Sequence, residues 1–209
     1  MCVRFFVDEE DREFRSYLET AGTSRLLQVF ERNYNRRAVM AGEIRPSDAA
    51  CVLASSKLGK LTAFPMKWGY NVPDARGKQM LCVNARSETA ARKDIFAPGW
   101  RDHRCIVPAS YYFEWQHYDD ERGIRRTGQR YAIKTDQEPV TWLCGIYRMN
   151  GGFPEFVILT RPASDSVSEI HDRMPLIMPK LYAFEWIYPD NDPEILMKYA
   201  AVNMVMREA

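Results

Sequence analysis

Residues 104–115, RCIVPASYYFEW, decide the fold predicted for this chain. Their apolar and aromatic side chains predict a strand that continues past a proline. Because successive side chains of a strand point to opposite faces, Glu114 shares a face with Tyr112, away from Phe113 and Trp115. A carboxyl group in such surroundings is costly unless it is paired or protonated, and a raised pKa suits a general acid. Glu114 is therefore a candidate acid, although the pattern fits a glutamate on a solvated sheet face equally well.

The rest of the chain surrounds this segment with strands and short helices. Further strands are predicted at 3–7, 50–54, 61–68, 131–135, 141–149 and 153–160. Helices are predicted at 8–20, capped by Asp8, and at 25–36, 88–97, 162–169, 179–188 and 192–201. The segments 68–78 and 117–128 are interpreted as loops. We therefore expect one α+β domain over residues 1–209, with a curved, barrel-like, mostly antiparallel sheet of eight or more strands flanked by short helices.

Composition favours a cytoplasmic globular protein. The chain has 209 residues, of which 46% are hydrophobic and 27% charged, values that are ordinary for soluble domains. No apolar run approaches the roughly 18 residues that a transmembrane helix needs. The five cysteines are scattered and odd in number, which favours a reducing compartment, and no CxxC spacing suggests zinc. We expect no membrane span, no metal and no cofactor.

The charge distribution permits a nucleic-acid partner without demanding one. The formal net charge is only +1, but the chain holds 21 arginines against 8 lysines. The guanidinium group is a planar fork suited to phosphate, whereas an ammonium group acts as a point charge. Most of these arginines are nevertheless expected to be solvated surface residues.

Cys2, directly after the initiator Met1, is a candidate nucleophile. Removal of Met1 gives one residue with both an α-amine and a thiol, which titrate near ~7.7–8.0 and ~8.5. An amine condenses with an aldehyde to an imine, and the neighbouring thiol can then close a five-membered thiazolidine ring. An internal cysteine cannot do this. The alternative is that position 2 holds a small residue that merely tolerates removal of Met1.

Three other segments place polar side chains beside apolar ones. Asn84 and Arg86 follow a short apolar strand and precede a predicted helix, a geometry that favours anion binding. His171 and Arg173 lie in the densest polar cluster of the chain, where histidine can act as acid or base and arginine can hold phosphate. Trp68 opens a loop in which an exposed aromatic ring could stack on a base, although a tryptophan is more often part of the core.

Together these segments resemble the SRAP family, the SOS response-associated peptidases that process abasic sites. The matching motifs run in family order from residue 1 to about 186. They are MCxRF at 1–5, Trp68-Gly69, NARSET at 84–89, RCIVPAS at 104–110, FEW at 113–115 and IHDRMP at 170–175.

The resemblance implies an α+β SRAP-like fold and a crosslinking enzyme with autopeptidase activity that removes Met1. The exposed Cys2 would trap abasic sites in single-stranded DNA as a thiazolidine, with an associated lyase activity. Asn84 would bind the amine or the opened sugar, Glu114 would shuttle protons, and His171 would assist ring opening and reversal. The DNA-binding residues implied by the family are Arg4, Arg86 and Arg173, with Trp68 and Pro46 against a neighbouring base. A monomer, nucleoid-associated when bound to DNA, is expected.

Two departures from the family keep other functions open. Val3 replaces the usual glycine, and the loop 42–46 reads GEIRP rather than ending in the common Asn-x-Ala-Pro form. A backbone with positive φ would be strained at valine. The alternatives are a cysteine N-terminal-nucleophile amide hydrolase and a non-catalytic protein that binds single-stranded DNA.

Overall fold

Fifteen strands dominate the fold in the computed structural model, which describes residues 2–74 and 76–209. The strands are β1 (Arg4–Val7), β2 (Gly42–Ile44), β3 (Ala49–Ser55), β4 (Leu61–Trp68), β5 (Tyr70–Pro73), β6 (Gln79–Cys82), β7 (Asn84–Arg86), β8 (Arg104–Ala109), β9 (Tyr111–Asp119), β10 (Arg125–Thr135), β11 (Thr141–Asn150), β12 (Phe153–Pro162), β13 (Arg173–Pro175), β14 (Ile177–Met178) and β15 (Met204–Glu208). The helices are α1 (Arg12–Gly22), α2 (Leu26–Tyr34), α3 (Ser87–Ala90), α4 (Ala97–Asp102), α5 (Asp165–Ser168), α6 (Lys180–Trp186) and α7 (Pro193–Leu196), followed by a 3-10 turn at Met197–Tyr199.

A closed ring of strands forms the centre of the molecule. The strands pair in the order β12-β4-β3-β8-β11, and β11 pairs again with β12, so that five strands make a barrel. β13, β7 and β14 extend this sheet, and a second sheet has the order β15-β10-β9-β1-β2. All pairings are antiparallel except those of β12 with β4 and β7. The predicted α+β class, with a barrel-like and mostly antiparallel sheet, is confirmed.

The segment 104–115 connects the two sheets. Its first half is β8 in the barrel, and its second half begins β9 in the other sheet. At the crossing, the Ser110 amide donates to the Phe6 carbonyl of β1 at 2.8 Å. β1 lies between β2 and β9, with Arg4 opposite Phe113. This pairing brings the amino end of the chain to the junction of the two sheets.

Four local predictions were wrong. Asp11, not Asp8, caps α1, with its side chain accepting from the Glu13 amide at 2.9 Å. The segment 68–78, expected to be a loop, contains β5, which pairs with β6 to form a two-stranded ribbon. The helix expected at 88–97 is only α3, and the loop 117–128 lies largely within β9 and β10. β15 was missed, since its side chains alternate only weakly and its order comes from pairing with β10.

A buried ion pair ties α2 to the barrel. Lys67 Nζ lies 2.7 Å from Glu155 Oε1, and both side chains are buried. Lys67 also donates to the Gly69 carbonyl at 2.9 Å, and Arg148 approaches the other carboxylate oxygen at 3.1 Å. The α2 residue Tyr34 reaches Glu155 at 3.5 Å. These contacts compensate charges that would otherwise be costly to bury.

Replacing Glu155 by leucine should destabilise the fold by about 3–5 kcal/mol, because the Lys67 ammonium group would remain buried without its carboxylate. Chemical denaturation measures this loss of unfolding free energy. The double variant Lys67→Met/Glu155→Leu should regain most of it. A single variant as stable as the wild type, or a double variant worse than both singles, would contradict this reading.

Candidate functional site

Cys2 lies at the junction of the two sheets, in contact with Asn84. The Asn84 side chain donates through Nδ2 to the Cys2 carbonyl at 2.8 Å. Asn84 is fixed because β7 pairs with β12, where Ile158 lies opposite it. Its Oδ1 atom is buried and has no hydrogen-bond partner among the described residues. Residues 82 positions apart in sequence thus form one site, and Asn84 keeps an acceptor available there.

Glu114 lies beside Cys2 on the buried face of β9. Its side chain is 2% exposed, which excludes the solvated sheet face as its environment. Burial raises the pKa of Glu114 above its ordinary value. Burial, together with the nearby Glu114 charge, also raises the pKa of the Cys2 thiol. The thiol therefore stays protonated near neutral pH, next to a carboxyl group that holds its own proton more tightly than usual.

His171 approaches this region from the turn before β13. The His117 amide, three residues beyond Glu114, donates to the Ile170 carbonyl at 3.0 Å. The His117 and His171 rings lie edge to face, with centroids 5.1 Å apart. His171 Nδ1 accepts from the Arg173 amide at 2.9 Å, so the neutral ring carries its proton on Nε2.

The protonation state of His171 follows from its surroundings. Burial lowers the pKa of His171 to about 4, and the neighbouring Asp172 carboxylate, which lies 2.8 Å from Nδ1, opposes this shift only in part. Asp172 is solvent-exposed, and the Arg173 amide is a fixed donor, so we assign Nδ1 as an acceptor. His171 is therefore neutral at physiological pH and suited to accept or relay a proton.

Acidification should cost stability through His171. Because its folded pKa is about 4 and its ordinary value 6.5, the unfolded chain binds a proton first as the pH falls. As the pH falls from 6.5 to about 4, the free energy of unfolding of the wild type should fall by about 1 kcal/mol relative to that of His171→Gln. This figure allows for solvent near the ring. Thermal unfolding of both proteins from pH 7 to 4 measures the difference. Parallel curves would contradict the assignment.

The predicted phosphate-binding arginines differ in their surroundings. Arg86 is exposed at the end of β7. Arg173 pairs with Glu88 at 2.9 Å and also donates to the Thr160 carbonyl at 2.9 Å. This pairing lowers the pKa of Glu88 to about 2. Arg4 pairs with Glu43 on β2, the neighbouring strand.

The structure contradicts the prediction that Trp68 stacks on a base. The indole is 0% exposed, donates to the Val83 carbonyl at 2.9 Å and packs on Phe5 with ring centroids 5.0 Å apart. A ring held in the core has no free face for a base, so its role is packing. Pro46 is half-buried in the loop behind it, and the amide of the next residue, Ser47, donates to the Trp68 carbonyl at 2.8 Å.

Val3 introduces no backbone strain. Among the described residues, positive φ occurs outside glycine only at Asn35 and Ser47. The conformation that presents Cys2 is therefore accessible to valine, and replacement of the family's glycine does not strain the backbone there.

Sequence reasoning gave no role to Tyr112 or to His117. Tyr112 is buried near Cys2 and Glu114, and its hydroxyl has no hydrogen-bond partner among the described residues. The alternation of β9 placed Tyr112 on the Glu114 face, which was the available signal. His117 was assigned to a loop, so its contact with His171 could not be foreseen.

The described part of the chain shows neither a metal-binding cluster nor a candidate membrane-spanning helix. No three His, Cys, Asp or Glu side chains within 2–74 and 76–209 gather closely enough to hold a metal ion. Within the same ranges, none of the helices has the length and apolar character needed to cross a bilayer. All five cysteines are free thiols.

Comparison with known proteins identifies one family. The family model described as SOS response associated peptidase (SRAP) matches residues 1–208. Bacillus subtilis abasic site processing protein YobE is 31% identical over 163 residues, covering 72% of this chain and 70% of that protein. A second Bacillus subtilis relative, abasic site processing protein YoaM, is 29% identical over 163 residues, covering 72% of this chain and 67% of that protein. A solved structure of a Bacteroides thetaiotaomicron protein shares the fold, with a TM-score of 0.69 at 18% identity over 99% of this chain and 91% of that one.

Proposed function

Because the chain belongs to the SOS response associated peptidase family, we propose that it processes abasic sites in single-stranded DNA by covalent capture. Removal of Met1, an autopeptidase step, frees the Cys2 amine. The protein then forms a thiazolidine with the aldehyde of the opened abasic sugar. The relatives named abasic site processing proteins support the substrate class.

The chemistry balances with the loss of one water. The Cys2 amine attacks the sugar aldehyde, and the resulting carbinolamine loses its hydroxyl as water to give an imine. The thiol sulfur then adds to the imine carbon, while its proton reaches the imine nitrogen. Glu114 supplies a proton to the departing hydroxyl and can take one back from the thiol, as a carboxyl group with a raised pKa can do near neutral pH.

The other site residues would position the sugar and the strand. Asn84 holds Cys2 through its carbonyl and offers Oδ1 to the amine or to a sugar hydroxyl. Neutral His171 would assist opening of the sugar ring and, in the reverse direction, release of the link or strand cleavage by a lyase step. Arg4, Arg86 and Arg173 would hold flanking phosphates, contacts that are independent of base identity and sensitive to salt.

One observation carries this proposal. The Asn84 amide is hydrogen-bonded to residue 2 at 2.8 Å, while a buried carboxyl group, Glu114, is close enough for its charge to raise the pKa of the Cys2 thiol. A general acid beside an N-terminal amine and thiol suits imine and thiazolidine formation. A cysteine hydrolase that turns over separate amide substrates would instead need Cys2 as a standing thiolate, and both burial and Glu114 raise the pKa of this thiol.

The test mixes purified protein with a single-stranded oligonucleotide that carries one abasic site. A heat-stable band on a denaturing gel is expected, with a mass equal to protein without Met1 plus oligonucleotide minus one water. Peptide turnover without this band would favour the amide hydrolase. Binding that is lost on denaturation would favour a non-catalytic binder, and either result would overturn the proposal.

A further inference from the structure

Glu43 gathers three arginines from three separate segments. On β2 it pairs with Arg4 of β1, with Arg45 at 3.1 Å and with Arg130 of β10 at 3.5 Å. Each of these arginines has Glu43 as its ion-pair partner among the described residues. Three positive charges therefore share one carboxylate, and the cluster keeps an excess of two positive charges.

Aromatic rings hold two of these guanidinium groups in place. Arg130 lies 4.2 Å from the centre of the Phe113 ring, and Arg4 lies 5.8 Å from that of Trp115. Arg4 and Arg130 are each only 32% exposed. A guanidinium group stacked on an aromatic ring loses little conformational entropy when it binds a planar or tetrahedral anion. The cluster is thus preformed for an oxyanion.

Glu43 occupies this cluster as a charged group. Partial burial alone would raise the pKa of Glu43, but hydrogen bonds from Arg4 and Arg45 lower it below its ordinary value. The carboxylate is therefore ionised near neutral pH. The pair formed by Arg173 and Glu88 differs, because there one arginine meets one carboxylate and no positive charge is left over.

The cluster lies next to the proposed nucleophile. Arg4 is two residues from Cys2, and the Cys2 thiol donates to the Arg4 carbonyl at 3.6 Å. A nucleic-acid strand whose abasic sugar reaches Cys2 would carry its adjacent phosphate past Arg4. The Arg4 guanidinium group that such a phosphate would meet is paired with Glu43.

We propose that Arg4, Arg45 and Arg130 form a phosphodiester subsite, and that Glu43 fills it in the DNA-free protein as a stand-in for phosphate. The entering strand displaces the carboxylate and takes over its arginine contacts. This inference rests on the proposed function for the identity of the strand. Beyond that function, it implies that Glu43 competes with DNA phosphate for the arginines and thereby sets the affinity of the protein for DNA.

Replacing Glu43 by glutamine should strengthen binding of single-stranded DNA about fivefold to tenfold, because a competing charge is removed while all three arginines remain. Fluorescence anisotropy with a labelled strand carrying a tetrahydrofuran abasic analogue, which cannot form an imine, measures affinity alone. Adding Arg130→Gln, or Arg45→Gln if that protein folds better, should cancel the gain. The matched control is Asp102→Asn, which removes the carboxylate of the exposed ion pair between Arg101 and Asp102 on α4. It should leave the affinity for DNA unchanged.

A second measurement separates failure of the subsite from failure of the proposed function. Thermal unfolding in inorganic phosphate and in chloride at equal ionic strength should show a phosphate-dependent rise in Tm for Glu43→Gln, but not for Glu43→Gln/Arg130→Gln. If no variant binds DNA, the proposed function fails, and this rise still supports the anion site. Equal DNA affinities of Glu43→Gln, Asp102→Asn and wild type, or no phosphate-dependent rise, would overturn the subsite.

Discussion

Replacing Cys2 by serine should abolish the heat-stable adduct with abasic single-stranded DNA. Serine keeps the α-amine after removal of Met1, so a reversible imine can still form, but no thiol is present to close the ring. The adduct should therefore reappear only when a borohydride reagent reduces the imine. Denaturing gels with and without reductant measure both outcomes, and mass spectrometry verifies that Met1 is gone.

The contrast between the two gels assigns separate roles to the amine and the thiol of residue 2. Cys51→Ala is the matched control, because it removes a buried thiol from β3 in the barrel and leaves the terminus intact. It should crosslink like the wild type. A stable adduct of Cys2→Ser without reductant would place the covalent bond elsewhere and remove the basis of the proposed function.

Local patterns were sufficient for the parts of the fold that local physics determines. The strand predicted at 61–68 coincides with β4, and the strands predicted at 141–149 and 153–160 correspond to the paired strands β11 and β12. Alternation in β9 placed Glu114 with Tyr112, and both are buried. These features depend on neighbours in sequence, whose side-chain periodicity is visible without tertiary information.

The features that local patterns did not reveal depend on distant partners. The polar segment after Trp68 predicted an exposed ring, but that segment pairs as a β-ribbon and the indole donates to the Val83 carbonyl. Glu43 is an ordinary acidic residue in sequence, and its partner Arg130 is 87 positions away. The site illustrates the same limit, since the motifs suggested which residues matter but contained no distances between them.

Replacing Glu114 by glutamine should slow crosslinking by about 10²–10⁴-fold, the usual range for loss of a general acid–base group. Glutamine keeps the size and one carbonyl oxygen of the side chain but cannot exchange a proton. The wild-type rate should also fall as the pH rises through the raised pKa of Glu114, and this dependence should vanish in the variant. Single-turnover crosslinking rates from pH 5 to 9 measure both effects.

Loss of folding would not account for such a result. Since burial raises the pKa of Glu114, the folded protein holds this proton more tightly than the unfolded chain, so the carboxyl group costs stability as the pH rises above its ordinary value. Glu114→Gln should therefore unfold at the same or a higher temperature than the wild type at pH 8. Asp119→Asn, at the exposed end of the same strand β9, is the matched control and should crosslink normally. A Glu114→Gln protein that crosslinks at the wild-type rate would show that proton transfer is supplied by another group, with His171 and Tyr112 the next to replace.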